Sequence, residues 1–321
     1  MMKATLIVVI ILLGYNAFSQ GCSDAGACSA GSLGLRDYGQ NETRFLMDYT
    51  QSIGLADKES LVLSTELTMS HRLSSTTGFE VRIPYQVTIG NLGSTSGVGD
   101  LLVSLSHVIL HTGKSAYSIV AGGRFFTNDA SKKIDGQPLP MVYQSSLGTN
   151  DIITGLAWHS EKWSLSLAYQ HPFGSNQNEY LHGDSIHLPD NKRYFESAYL
   201  RRGDDLMLRV QRTFNYNPAS QMAVGMLPVY RLQPDEIRRN GTYEKLSGSE
   251  GLTFNLYFNW WWHIGENKQI KISSAFPVYA RKYRADGLTR TAIISAGLIL
   301  KFSAAAQEVQ PIHDLFDYQE Q

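Results

Sequence analysis

Strict alternation between apolar and polar residues is the feature that most constrains how this chain can fold. In GFEVRIPYQVTIG, residues 78–90, every second side chain from Phe79 to Ile89 is apolar, and charged Glu80 and Arg82 stand between them. A β-strand points successive side chains to opposite faces, so the stretch predicts a strand with one apolar and one charged face. The apolar face would contact a core in a water-soluble sandwich and lipid in a membrane barrel.

The same period of two recurs along most of the chain, and no helical periodicity of comparable length competes with it. It predicts twelve strands, and single-chain outer-membrane barrels have an even number. The fold class indicated is all-β, a transmembrane antiparallel up-and-down β-barrel. The predicted strands cover residues 41–53, 59–73, 77–90, 98–111, 115–127, 150–159, 162–173, 195–214, 220–232, 250–262, 268–280 and 290–302.

The connections between these strands alternate in length. Every second connection is short, whereas the others include three long segments at residues 128–149, 174–194 and 233–249. Outer-membrane barrels have short periplasmic turns and longer extracellular loops, and a soluble sandwich has no reason to alternate them. We therefore expect both chain ends on the short-turn, periplasmic side. The short connections are SSTT, HTGK, SEK, NYNPAS and HIGENK.

The beginning of the chain predicts export. Lys3 precedes an apolar run over residues 4–13, and the following AFS offers the small residues of a signal-peptidase site, so residues 1–19 are interpreted as a signal peptide. No later window contains the roughly 18 apolar residues of a spanning helix. We expect a Gram-negative cell outer membrane location, with the lipid bilayer and the barrel-assembly machinery as partners.

Three further segments complete the predicted domain plan. Residues 20–40 form a periplasmic N-terminal segment that is a candidate plug, residues 41–302 form the barrel, and residues 303–321 form a periplasmic polar tail. The chain's two cysteines, Cys22 and Cys28, lie in the first of these segments. An oxidising compartment favours a disulfide between them, and lipidation of Cys22 is the alternative.

Carrying the alternation through the strands predicts which side chains face the lumen. Both signs of charge occur there, so neighbouring strands can pair their charges and brace a narrow interior. The alternative is a polar constriction with a slight cationic excess, which would disfavour the passage of cations. The predicted lumen-lining residues are Arg44, Asp48, Glu66, Glu80, Arg82, Arg124, Arg209, Asn255 and Asn259.

Aromatic residues and the last strand provide two further indications of a membrane barrel. All five tryptophans fall near the predicted periplasmic rim, where amphipathic rings form a girdle at the bilayer interface. The last strand, SAGLILKF, closes on Phe302 and resembles the C-terminal targeting signal of outer-membrane barrels. Here a polar tail follows it, so the signal would be internal.

Two short motifs carry a resemblance to a known family. GVGDLLVSLSHV places Gly97, Gly99 and Asp100 at the opening of one strand, and SLGTNDIITGLAW places Gly148 and Asp151 at the opening of another. Glycines there allow a bend or bulge, and each carboxylate can pair with a loop donor. Both motifs resemble the strand openings of the outer-membrane transporters named for the meta-pathway of phenol degradation, related in shape to the fatty-acid transporters. The resemblance covers strands three to seven and implies passive uptake of a small hydrophobic molecule.

Other functions are compatible with the same pattern. A general diffusion porin would need an open, water-filled lumen, and a non-transport barrel would present its long loops to partners. No enzyme is expected, because His107 and His111 share an apparent face without a serine at a matching spacing. No metal or other cofactor is predicted, and HGDSIHLPD is typical of a polar surface loop. A net charge of -1 without a basic block gives no sign of nucleic-acid binding.

Overall fold

A closed antiparallel barrel forms the body of the computed structural model, which describes residues 43–185, 189, 192–288 and 290–303. The last strand pairs with the first, so the wall has no open edge, as a membrane-spanning sheet requires. The described strands are β1 (Thr43–Ala56), β2 (Leu61–Arg72), β3 (Thr77–Gly90), β4 (Gly93–Val98), β5 (Leu101–Thr112), β6 (Ser115–Phe125), β7 (Lys133–Ile134), β8 (Gln137–Pro138), β9 (Asn150–His159), β10 (Trp163–Phe173), β11 (Asp205–Asn217), β12 (Ser220–Arg231), β13 (Glu236–Arg239), β14 (Thr242–Lys245), β15 (Gly251–His263), β16 (Lys268–Tyr279) and β17 (Arg290–Ser303).

Twelve long strands form the wall of the barrel, and the remaining short strands lie at one of its ends. β4 folds back on the end of β3 and pairs with it, while β7 with β8 and β13 with β14 form two hairpins within long loops. Short 3₁₀ turns are the only helices among the described residues, and none of them could cross a membrane. The predicted fold class, a barrel of twelve antiparallel strands, is confirmed.

The two ends of the barrel differ in their connections, as the sequence predicts. Thr43 and Ser303 lie at the end with the short turns, which we call the short-turn end, and the opposite one is the long-loop end. The short turns are residues 73–76, 113–114, 160–162, 218–219 and 264–267. The long loops are residues 126–149, 174–204, 232–250 and 280–289.

Side-chain exposure shows that the apolar face of the wall is the outer one. Along β3, Ile83 and Ile89 are exposed, whereas Glu80 and Thr88 are buried inside. A soluble sandwich would bury the apolar face, so this arrangement is that of a barrel whose outer surface contacts lipid. The apolar row of residues 79–89 therefore faces the membrane.

An aromatic rim surrounds the short-turn end. The rings of Trp260 and Trp262 on β15 are parallel, with centroids 6.4 Å apart, and the exposed Trp163 begins β10 at the same end of the barrel. The guanidinium group of Arg212 lies 5.3 Å from the centre of the Trp163 ring. Amphipathic rings and basic side chains at this height are typical of a bilayer interface.

The largest error in the strand prediction concerns residues 195–214. The strand β11 begins only at Asp205, and residues 195–204 belong to the second long loop. Burial does not alternate along this segment: it includes the adjacent Ser197 and Ala198 as well as Leu200. The reason is that the segment packs within the folded loops and does not pair with a strand of the wall. Apolar spacing in a compact loop can therefore imitate strand alternation.

A glycine on the inner wall makes room for an aromatic ring. A Cβ atom at Gly225 of β12 would collide with the ring of Tyr257 on β15. The Tyr257 hydroxyl reaches past this glycine, accepts a hydrogen bond from Arg209 Nε at 2.8 Å and lies 3.3 Å from Gln211 Oε1. The ring thus links side chains of two strands across the intervening one.

Gly225→Val is expected to destabilise the barrel, because the added side chain must displace the Tyr257 ring. Overpacking of this kind costs about 1–3 kcal/mol. The urea midpoint of unfolding from lipid vesicles would measure it, with Val224→Ile as the control, since Val224 faces lipid on the same strand. Equal midpoints for the two variants would contradict the packing described here.

Candidate functional site

The described parts of the long loops fold over their end of the barrel and bury apolar side chains against one another. We call residues 126–149, 174–204, 232–250 and 280–289 together the loop cap. One buried cluster contains side chains from all four loops, so the described part of the cap is a packed layer. Its members are Ala130, Met141, Leu147, Leu200, Ile237, Leu246, Ala285 and Leu288.

A chain of hydroxyl groups ties the first two loops to the wall. Tyr143 is fully buried, and its oxygen accepts a hydrogen bond from the Leu92 backbone N–H at 3.0 Å. The same oxygen lies 3.1 Å from the Tyr194 hydroxyl, which in turn lies 2.9 Å from Ser60 Oγ. Buried hydroxyls that are satisfied in this way stabilise one arrangement of the loops over others.

The glycines of the two sequence motifs let the first loop approach the wall closely. A Cβ at Gly97 would lie 2.8 Å from Ser145 Oγ, and one at Gly99 would lie 3.0 Å from the Ser145 carbonyl oxygen. Gly148 has a φ of +69°, which side chains rarely adopt, and a Cβ there would lie 2.9 Å from the Asp129 carbonyl oxygen. Gly97 and Gly99 therefore permit the cap to pack on the barrel, and Gly148 permits close packing within the cap itself.

The aspartates of the two motifs meet at one arginine. Arg124, at the long-loop end of β6, donates a hydrogen bond to Asp151 on the adjacent strand β9. Its Nε also lies 3.9 Å from Asp100 Oδ2, at the start of β5. All three side chains are at least nine-tenths buried. The fold thus brings together residues that are separate in sequence.

Asp151 also links the wall to the second loop. Arg202 Nη2 donates to its Oδ1 at 2.5 Å, Thr149 Oγ1 donates to the same oxygen at 3.3 Å, and Gln170 donates to Oδ2. A buried carboxylate needs such partners, because removal from water is unfavourable for an ion without them. Sequence analysis missed Arg202, which lies within the stretch wrongly predicted as a strand.

A second buried ion cluster holds the third and fourth loops. Arg231, at the end of β12, makes a bidentate pair with Asp205 on β11, at 2.9 and 2.7 Å. Its Nη1 lies 2.7 Å from Asp235 Oδ1 in the third loop and 3.2 Å from Asp286 Oδ2 in the fourth. One guanidinium group therefore joins the wall to two loops of the cap.

The two loop carboxylates in this cluster shift in opposite directions. Burial acts against the charged form of Asp286, but Arg231 and Arg281 outweigh it and hold the pKa of that carboxyl well below its usual range. Burial raises the pKa of Asp235, although Arg231 and Arg281 oppose the shift. Asp286 therefore stays ionised in the closed cap, and Asp235 takes up a proton more readily.

Four of the predicted lumen residues form ion pairs on the wall made by β1, β2 and β3. Arg82 Nε lies 2.6 Å from Glu80 Oε1, and Arg82 Nη1 lies 3.7 Å from Glu66. Asp48 pairs with Lys271 of β16 at 2.9 Å. Both signs of charge thus meet between strands that are close in the barrel.

The remaining predicted lumen residues lie in different surroundings. Arg209 donates to Tyr257 as described above, Asn255 is buried and donates to the Leu227 carbonyl oxygen at 3.3 Å, and Asn259 is half-buried. Arg44 is exposed at the short-turn rim, where a register irregularity follows Thr43. That Arg44 lines the lumen stays a prediction.

An apolar belt on the inner wall was not predicted. Nine side chains on strands from β5 to β17 form one cluster, and each is at most 8% exposed. Residues that line a wide, water-filled lumen would be exposed, so the barrel is not open to bulk water at this level. The sequence signal for this belt was the presence of unbroken apolar runs such as LML and MLPV, which place apolar residues on the inner as well as the outer face of a strand. The apolar belt consists of Leu102, Val120, Ile153, Met207, Leu227, Val229, Tyr257, Ala275 and Ile293.

A cavity of about 70 Å³ lies between the loop cap and the inner wall. Its lining combines apolar side chains, among them Leu102 of the belt and Met141 of the cap, with charged ones that include Asp100, Arg124 and Arg82. The motif residues, the belt and the cap therefore border one partly open space. We call it the sub-cap cavity.

Some of the predictions fall on parts of the chain that the structure does not describe. Cys22 and Cys28 lie outside the described residues, as do the signal peptide, the whole candidate plug and the tail after residue 303. The disulfide and the plug stay predictions. Among the described residues, no group of three or more His, Cys, Asp or Glu side chains is placed to hold a metal ion.

Comparison with known proteins identifies the fold. No protein-family model and no curated protein matches the chain. A crystal structure of an outer-membrane channel from Pseudomonas putida F1 is similar, at 12% identity and a TM-score of 0.56, over 82% of this chain and 96% of that one. The KdgM porin shares 10% identity, with a TM-score of 0.43 over 80% of this chain and 99% of its own. At these identities the likeness concerns architecture alone: the chain has the closed β-barrel fold of outer-membrane proteins.

Proposed function

We propose that this protein is a capped outer-membrane channel for the passive uptake of a small, mainly hydrophobic molecule. The observation that carries the proposal is the apolar belt inside the barrel, directly below the loop cap. A water-filled pore gains nothing from apolar side chains on its inner wall, because water wets such a wall poorly. An apolar solute, in contrast, makes favourable contacts with each of these apolar side chains.

The burial of the loop cap and of the apolar belt favours this function over that of a general diffusion porin. The loop cap is packed by a cluster drawn from four loops, and the apolar belt beneath it is almost closed to water. Ions and sugars would have to cross both layers. The name of the similar Pseudomonas putida structure, an outer-membrane channel, agrees with a transport role and says nothing of the solute.

The function can be tested by uptake into Gram-negative cells that lack their general porins. Expression of the protein is expected to raise the entry of the apolar dye N-phenylnaphthylamine several-fold, because the apolar belt favours such a solute. The hydrolysis of the polar reporter nitrocefin by a periplasmic β-lactamase is expected to stay at its background rate, since charged solutes meet a closed path.

The double variant Met207→Gln, Leu227→Gln makes the apolar belt polar and should abolish the gain in dye entry. Ser166→Ala, on the inner face of β10, is the matched control and should leave the gain intact. Equal acceleration of nitrocefin and dye would support a general porin instead. Acceleration of neither, with the folded barrel present in the membrane, would support a barrel that presents its loops to partners.

A further inference from the structure

An amide side chain lies on the lipid-facing surface near the middle of the barrel wall. Gln51 belongs to β1, where it shares the outer face with Tyr49 and Ile53, and all three side chains are exposed. Its cross-strand neighbours on that face are Thr65 of β2 and Ala296 of β17. Apolar or aromatic side chains flank this row on both sides along all three strands, so Gln51 lies at the depth of the lipid tails. The flanking residues are Tyr49, Ile53, Leu63, Leu67, Ile294 and Leu298.

The amide of Gln51 is only partly satisfied within its own chain. Its Nε2 donates a hydrogen bond to the Tyr49 hydroxyl oxygen at 2.7 Å. A glutamine amide has two N–H donors and a carbonyl oxygen, and no described residue bonds to the second donor or to Oε1. Lipid tails offer no hydrogen bonds, so these two groups are unfavourable on the surface of a single barrel. A partner with a donor and an acceptor at the same depth would satisfy both.

A second copy of the chain meets this requirement by symmetry. Barrels inserted into one membrane have the same orientation, so the Gln51 side chains of two copies lie at the same depth. A two-fold axis along the membrane normal then places each amide against the other. We propose that two barrels associate through the surface around Gln51, where the remaining N–H of each amide donates to the Oε1 of its counterpart.

The neighbours of Gln51 suit a close approach between two barrel walls. Ala296 and Thr65 have short side chains, and small residues at a membrane interface allow backbones to come near one another. Farther from the proposed axis, Tyr49, Ile53 and Ile294 are 45%, 48% and 59% exposed and offer apolar surface for packing. The amide pair therefore supplies specificity, and the surrounding side chains supply contact area.

Sedimentation equilibrium in a density-matched detergent would measure the association. The sample is the chain without its signal peptide, refolded and shown to be heat-modifiable. We expect the wild type to form dimers and Gln51→Leu to dimerise about tenfold less tightly, the effect of two hydrogen bonds in a membrane environment. Thr154→Leu is the matched control, because it removes an exposed polar side chain from the outer face of β9, and it should leave the dissociation constant unchanged.

Crosslinking in lipid vesicles would locate the interface and keep the test informative if Gln51→Leu fails to fold. In a chain with Cys22→Ser and Cys28→Ser, Ala296→Cys should be joined to its counterpart by a short bismaleimide, because adjacent strands lie only about 5 Å apart. Thr154→Cys in the same background should stay uncrosslinked. A monomeric wild type, equal dissociation constants for the wild type and Gln51→Leu, or equal crosslinking at the two cysteine positions would overturn the proposal. A trimer would also overturn it, since three copies cannot share one two-fold axis.

Discussion

Arg231→Met is expected to release the loop cap and convert a closed barrel into a conducting one. The change removes one guanidinium group from among Asp205, Asp235 and Asp286 and leaves their carboxylates in a buried site. Removal of one side of a buried ion pair costs about 3–5 kcal/mol, because the remaining charge loses its partner without regaining water. Two of the carboxylates belong to different cap loops, so moving these loops out into water relieves the strain.

The destabilisation caused by Arg231→Met should be partly reversed at acidic pH. In the wild type, Arg231 and Arg281 hold the pKa of Asp286 down, so its contribution to stability is present at neutral pH and is lost as the pH falls below about 4. Asp286 keeps Arg281 as a partner in the variant, but the pKa of Asp235, which burial already raises in the wild type, rises further without Arg231. The folded variant then binds more protons than the unfolded one, and its stability rises as the pH falls from 7 towards 4.

Single-channel recording in planar bilayers would test this prediction. Wild type should be silent at pH 7, and Arg231→Met should show open steps whose frequency falls at pH 5. The control is Arg209→Met, which removes another inward arginine whose described hydrogen-bond partners, Tyr257 and Gln211, are uncharged. A silent trace from folded Arg231→Met at pH 7 would show that the cluster does not hold the cap closed.

The alternation of side chains was enough to predict the barrel, because it records the one property that lipid imposes on every strand. The outer face of each strand contacts the same apolar solvent, so Ile83 and Ile294 obey one rule at opposite ends of the sequence. The lengths of the connections follow from the same topology. The strand prediction failed over residues 195–204, which belong to a long loop.

The interior could not be predicted in the same way, since its chemistry depends on register between strands and on loop packing. Asp100 and Asp151 both drew attention as motif residues, yet only the pairing of β5, β6 and β9 brings them to Arg124. Arg202 and Asp286 lie in loops, where no periodicity indicates direction. The apolar belt was hidden because inward apolar residues simply lengthen an apolar run.

The two ion clusters have opposite charge patterns, and this difference leads to a second prediction. Arg231 is shared by the three carboxylates of Asp205, Asp235 and Asp286, whereas Asp151 is one carboxylate shared by Arg124 and Arg202. Carboxylates can take up protons when their partner is lost. Guanidinium groups cannot release theirs at any pH at which a protein stays folded.

Asp151→Asn is therefore expected to destabilise the barrel by about 3–5 kcal/mol, with no recovery in acid. The variant keeps the shape of the side chain and removes the charge that two buried arginines share, so each of them loses its strongest partner. The loss should be the same at pH 7 and pH 5, in contrast to that of Arg231→Met. Urea unfolding from lipid vesicles at pH 7 and pH 5 would measure the loss of stability in each of the two variants.

The matched control for Asp151→Asn is Asp204→Asn, a carboxylate at the same end of the barrel. Its partners are Tyr169 and His171, on the outward face of β10, so the change should cost less than about 1 kcal/mol. Adding Arg202→Met to Asp151→Asn should restore part of the stability, because it removes one of the two charges left behind. A double variant less stable than Asp151→Asn alone would mean that Arg202 holds the second loop through Thr149 and not through the shared carboxylate.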